Sequence, residues 1–91
     1  MPFEWDEWAM QALVGIDPDE VRQVCGGKRR WPRPAVGPSG VRVLTIWGRT
    51  VDGRPLIVAV RHLDDTTWKI IGARDLSATE LDELARWEEE R

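Results

Sequence analysis

Residues 42–62, RVLTIWGRTVDGRPLIVAVRH, decide the fold. Two runs rich in β-branched and aromatic residues, Val41–Arg49 and Leu56–Leu63, flank Asp52-Gly53, a dipeptide that accepts positive φ and closes tight hairpins. A third run, Thr67–Arg74, follows across Asp64-Asp65. Three consecutive antiparallel strands are therefore expected. Just upstream, residues 28–40, KRRWPRPAVGPSG, are rich in Pro, Gly and Arg. They read as a loop with at most an added edge strand near 29–35, where proline costs no ladder hydrogen bond.

Helical periodicity frames this sheet. Trp5, Trp8, Ala9, Ala12 and Leu13 recur at helical spacing, with Gly15 where a C′ residue stands, and predict a helix over 7–14. Asp17-Pro18-Asp19-Glu20 supplies an N-cap acid, proline at N1 and glutamate at N3. It opens a helix over 18–25 through Val21, Val24 and Cys25, ended by Gly26-Gly27. Ser77-Ala78-Thr79-Glu80 is a capping box for a helix over 78–90, whose apolar face is Ala78, Leu81, Leu84 and Ala85 with Trp87 at its edge. At 91 residues one core is what the chain can bury. The expectation is a single α+β domain over residues 1–91: a small antiparallel sheet of three to four strands, packed by two N-terminal helices and one C-terminal helix.

No apolar run approaches the ~20 residues of a membrane helix, and the N-terminus has neither a basic nor an apolar leader segment, so a cytoplasmic protein without membrane contact is expected. Cys25 is the only cysteine and His62 the only histidine. That excludes an intrachain disulfide and leaves too few soft ligands for a zinc site; no metal and no cofactor are expected. Cys25 reads as a small buried hydrophobe rather than a thiolate. The net charge of −3 is unevenly spread: −6 over residues 1–20, +8 over 21–74 and −5 over 75–91. Two readings stay open. The basic middle forms a patch for a polyanion, or the terminal acids pair with it and cancel the field.

Counting outward from two-residue loops pairs Val51 with Arg54 and Leu63 with Thr66, and side-chain alternation then sorts the faces. One face collects Leu44, Ile46, Ile57, Ala59, Trp68 and Ile70, with Arg61 among them. The other collects Thr45, Trp47, Arg49, Val58, Val60, His62, Thr67, Lys69 and Ile71. The first is the expected core face. The second is the expected functional face, whose Trp47, Val58 and Ile71 call for cover by a partner segment or a second copy, so a homo-oligomer is possible. A bulge at Gly72, or a longer loop at Asp64-Asp65, would shift the third strand by one.

No phosphate loop, metal cluster or Ser/His/Asp signature is present; the chemistry on offer is basic. Cations beside a polyanion neutralise charge developing on a phosphorane, and His62 can exchange the proton of a ribose 2′-hydroxyl. These are the tools of a metal-independent ribonuclease, although a lone strand histidine is more often structural. Lys28, Arg29, Arg30, Trp31 and Arg33 combine phosphate-binding groups with an indole for base stacking. The competing reading is a solubilising loop whose Trp31 caps the core. Trp47 is the other candidate stacking residue.

The opening Phe3-Glu4-Trp5-Asp6, the hairpin from Arg42 to Val60, and above all Trp68-Lys69-Ile70-Ile71-Gly72-Ala73-Arg74 before a charged helix resemble BrnT-type toxins of the RelE-like ribonuclease superfamily. The likeness spans nearly the whole chain, and its sharpest piece is Ile-Ile-Gly-Ala-Arg, close to the family's Ile-Ser-Ala-Arg. It implies a RelE-like fold, metal-independent cleavage of RNA and a cognate ribbon-helix-helix antitoxin as partner. It also implies a catalytic set of His62 (or Arg61, depending on where the loop insertion lies), Lys69 and Arg74. Arg61, Arg49, Lys28, Arg29, Arg30, Trp31 and Arg33 would then hold the RNA. The chain departs from the family where a first-helix lysine and a Lys-His-Gly element are usual: here it reads Ala9 to Ile16. The alternative is a catalytically silent RelE-like domain that binds protein or RNA; a third reading is an accessory domain with no nucleic-acid role.

Overall fold

The computed structural model describes residues 3–5, 7–37, 40, 42–62 and 67–90. Along the chain run β1 (Phe3–Trp5), α1 (Glu7–Gln11), α2 (Pro18–Cys25), β2 (Trp31–Val36), β3 (Arg42–Arg49), β4 (Pro55–His62), β5 (Trp68–Asp75) and α3 (Ala78–Glu89). They form one five-stranded sheet in the order β1-β5-β4-β3-β2. β1 lies parallel to β5 and every other neighbouring pair is antiparallel. The expected antiparallel sheet of three to four strands, entered through helices, is thereby corrected. The sheet is mixed, has five strands, and begins with a strand. Phe3 and Trp5 turn inward beside Trp68 and Ile70 and pack against the core, while Glu4 between them is exposed. Burying two aromatic rings at the free edge of β5 outweighs continuing a helix back to Trp5.

The helix after β1 is shorter than the predicted 7–14. It ends at Gln11 and buries Ala9 alone, leaving Trp8 61% and Val14 88% exposed. α2 and α3 form where their capping boxes put them. Asp17 accepts from the Asp19 N–H at 2.8 Å, Ser77 accepts from the Glu80 N–H at 3.3 Å, and the N3 glutamates reach back to the cap N–H groups. The outer strand β2 fits its prolines, since Pro32 and Pro34 occupy an edge.

The sheet is covered on both sides. On one face α2 packs Val21, Val24 and Cys25 onto Ile46, Leu56, Val58, Val60 and Ile70. On the other, α3 sets Leu84 on Trp47 and Ile57, with Trp31, Leu76 and Trp87 around them. Leu84 is wholly buried.

The hairpin explains why the predicted faces are wrong. Its loop is Val51-Asp52-Gly53, one residue longer than counted. The Thr50 N–H donates to the Arg54 carbonyl, the Gly53 N–H to the Thr50 carbonyl, and the Arg54 N–H to Thr50 Oγ1, at 2.9, 2.9 and 3.1 Å. Gly53 takes φ +90°, the left-handed residue of a three-residue loop. Trp47 therefore faces Ile57 rather than Val58, and every β4 side chain changes sides. Val58 is buried under α2 and Trp47 under α3, so neither needs a partner's cover. The second turn, at Asp64-Asp65, lies outside the described residues. Beyond it β5 pairs His62 with Trp68 and Arg61 with Lys69.

Candidate nucleic-acid interface

β5 changes phase partway along. Its pairing with β4 runs Arg61↔Lys69 and Val60↔Ile70, then Ala59↔Gly72 and Ile57↔Arg74. Ile71 is the extra residue of a bulge. Without it Lys69 and Arg74, five positions apart, would stand on opposite faces; the bulge brings them to one. Arg61, Lys69 and Arg74 thus share the α3-side face with Thr45, Trp47, Ile57 and Ala59. α3 covers only the Trp47 end. Beyond it a shallow groove opens over Thr45, Ile57, Ala59, Gly72 and Arg74, and widens toward Arg33, Ala35, Glu80 and Glu83.

His62 does not join this set. It follows Arg61 by one position and lies on the α2-side face, where its exposed ring sits 4.4 Å from the Trp68 ring. The bulge does for Arg74 what the count could not, and the same count misplaced His62.

The cations differ in what holds them. Both terminal nitrogens of Arg74 donate to the Glu80 carboxylate, at 2.6 and 2.7 Å, and Nη1 also donates to the Asp75 carbonyl at 3.2 Å. The Arg74 bond, helped by the Ser77 N–H, pulls the Glu80 carboxyl down to about 2, and Glu80 in turn holds Arg74 above its ordinary value. Arg33 pairs with Glu83 at 3.3 Å and lies over the rings of Trp31 and Trp47, 4.4 and 4.7 Å from their centroids. Arg49 grips Glu88 at 2.9 Å and donates to the Gly53 carbonyl at 3.1 Å. Arg29 donates to the Glu88 carbonyl and Arg30 to the Cys25 carbonyl. Lys28 is exposed in the preceding turn. Arg61 is exposed and its side chain has no partner among the described residues. Lys69 is half-buried and partnered.

The proposed RNA-holding segment is divided: Lys28 and Arg29 are exposed, whereas Arg30, Trp31 and Arg33 are half-buried and make contacts within the domain. Trp31 stacks on Trp87, centroids 5.4 Å apart and planes within 6°, and meets Trp47 edge to face at 5.5 Å. Its role is to roof the smaller core, and Trp47 is 7% exposed; neither offers a base a ring. The terminal acids do pair with the basic middle, as one of the two charge readings held. Glu83, Glu88 and Glu80 of α3 take Arg33, Arg49 and Arg74, and Glu20 of α2 takes Arg54 at 3.0 Å. Glu80, which the sequence shows only as a helix cap, is the site residue that reasoning missed, as is Arg54. Arg54 ties α2 to β5 through Glu20, Asp75 and the Gly15 carbonyl, and the Asp75 bond is the main cause that raises its pKa. Burial pushes the Cys25 thiol up to about 11 against the opposing field of Arg30, so it is no nucleophile at neutral pH. Among the described residues no three His, Cys, Asp or Glu side chains gather where a metal ion could bind, and no helix is long and apolar enough to cross a membrane. No protein-family model matches the chain, and no curated protein matches it.

Proposed function

We propose that this domain is a toxin-like endoribonuclease that cuts RNA without a metal ion on the α3-side face of its sheet, and that a ribbon-helix-helix antitoxin silences it by covering that face. The observation that carries the reading is the bulge at Ile71, which sets Lys69 and Arg74 on the one face that also carries Arg61, with Arg74 lining an open groove. These are basic positions that the BrnT resemblance marks, with Arg61 taking the alternative place of the family histidine. Lys69 and Arg74 stabilise the charge that builds on the phosphorane as the 2′-hydroxyl attacks, and Arg61 holds a neighbouring phosphate. Phosphate must displace Glu80 from Arg74. The freed carboxylate regains basicity as its pKa returns upward and accepts the 2′-hydroxyl proton, while the P–O5′ bond breaks to leave a 2′,3′-cyclic phosphate and a 5′-oxygen that takes its proton from water. His62, across the sheet, has no step.

A second reading, a catalytically silent module that binds RNA or protein on the same face, is favoured by the closed Arg74–Glu80 pair and the separation of His62 from the cations. Incubation of purified protein with single-stranded RNA in chelator, with and without ribosomes, divides them. Cleavage that falls on the order of 10²-fold in Arg74→Ala, the loss typical of one transition-state donor, supports the enzyme. Binding without cleavage, with log K falling on log salt at a slope of about −2 for three phosphate contacts, supports the module. Neither binding nor cleavage sinks both.

A further inference from the structure

On the opposite side of the sheet, between its β1 edge and α2, lies a hollow of about 400 Å³. Phe3 and Trp5 of β1, Ile70 of β5 and Cys25 of α2 make its apolar wall, and Arg22 and Arg30 stand at it. Its charge is unbalanced among the described residues. Arg33, Arg49, Arg54 and Arg74 each hold a carboxylate, yet no acid lines this hollow among the described residues. Arg22 has no side-chain partner among them. Arg30 spends one terminal nitrogen on the Cys25 carbonyl and keeps its remaining donors. The Trp5 Nε1–H, in the wall, is buried with no acceptor among the described residues. Two guanidinium groups without counter-charge beside aromatic surface form a site lacking an anion with an apolar body.

We propose that this hollow binds a small aromatic carboxylic acid, its ring against Phe3, Trp5 and Ile70 and its carboxylate on Arg22 and Arg30. An inorganic phosphate fits less well, because the aromatic and aliphatic part of the wall, Phe3, Trp5 and Ile70, offers nothing to solvate a compact dianion. The binding is non-covalent, since the Cys25 thiol stays protonated and inside the wall. The site is independent of the ribonuclease reading, being on the other face of the sheet.

The test uses the ¹⁵N-labelled full chain and three probes: 2-naphthoate, its neutral analogue 2-naphthamide, and inorganic phosphate. The Trp5 indole N–H resonance, assigned by its absence in Trp5→Phe, reports binding. Naphthoate shifts it saturably with a Kd on the order of 1 mM or tighter, the affinity expected of about thirteen heavy atoms at drug-like efficiency. Naphthamide binds at least about tenfold more weakly, and so does naphthoate to Arg22→Gln, an exposed position whose change leaves the fold intact. No saturable shift up to about 10 mM naphthoate overturns the proposal. So does naphthamide binding as tightly as the acid, or phosphate binding as tightly as naphthoate, which would make the hollow a site for phosphate groups instead.

Discussion

Replacing Glu80 by Gln isolates the contact that ties Arg74 to α3. The Glu80 carboxylate accepts from Arg74 at 2.6 and 2.7 Å and from the Ser77 N–H at 2.8 Å. Glutamine keeps an acceptor for Ser77, so the capping box survives and the loss is confined to the charge pair. A carboxyl lowered from 4.5 to about 2 corresponds at face value to roughly 3 kcal/mol. The Arg74 side chain, however, is 61% exposed, and water screens such a pair to about 1 kcal/mol or less. The folded carboxyl sits below the unfolded one, so its contribution is complete above about pH 4.5 and drains away as the pH falls toward about 2. Urea denaturation at pH 7 should therefore find Glu80→Gln about 1 kcal/mol less stable than wild type, roughly 4–8 °C in Tm for a domain of this size. The two curves should meet near pH 2. Equal stabilities at pH 7, or a gap that persists unchanged into acid, refute the reasoning. Because the same change leaves Arg74 open to phosphate, single-stranded RNA should bind the variant more tightly than wild type.

Leu84→Ala, at the only fully buried position of α3, should cost about 2–5 kcal/mol and shift the fluorescence of the Trp31–Trp87 stack; a cost below about 1 kcal/mol would show that α3 is not held by this side chain. His62→Gln should leave RNA affinity and any cleavage unchanged, and a tenfold loss would return the histidine to the working face. Pro32→Val with Pro34→Val restores two N–H groups to the β2 edge and should promote self-association on a sizing column, whereas a double variant that elutes as wild type does would mean that the prolines do not guard that edge.

What the sequence made legible was whatever is decided locally. The capping boxes at Asp17 and Ser77 fix α2 and α3 through side chains three residues apart, and the β-branched runs fix β3, β4 and β5. β1 was not legible. Phe3-Glu4-Trp5 is too short to show a period, and its place beside β5 depends on a pairing across more than sixty residues. It was absorbed into the helical stripe of Trp8, Ala9, Ala12 and Leu13, which the fold breaks at Gln11.

The site was less legible than the fold, and for a physical reason. Whether two side chains share a face depends on the parity of the residues between them, so one uncounted residue inverts the answer. Two entered here: the third loop residue at Gly53 and the bulged Ile71. The first moved Val58 and His62 to the α2 side and brought Arg61 to the α3 side. The second let Lys69 and Arg74 stand together although their separation is odd. Neither leaves a mark in composition, because Asp52-Gly53 serves loops of two and three residues alike and Ile71 is a sound strand residue in or out of a bulge. Opposite charges along the chain were visible, but which acid meets which arginine was not. Glu80, Glu83 and Glu88 lie three to five positions apart on α3 and reach β5, β2 and β3 in turn. Laid across the sheet, the helix gives each of three strands one carboxylate and leaves Arg61, beyond its reach, without a partner among the described residues.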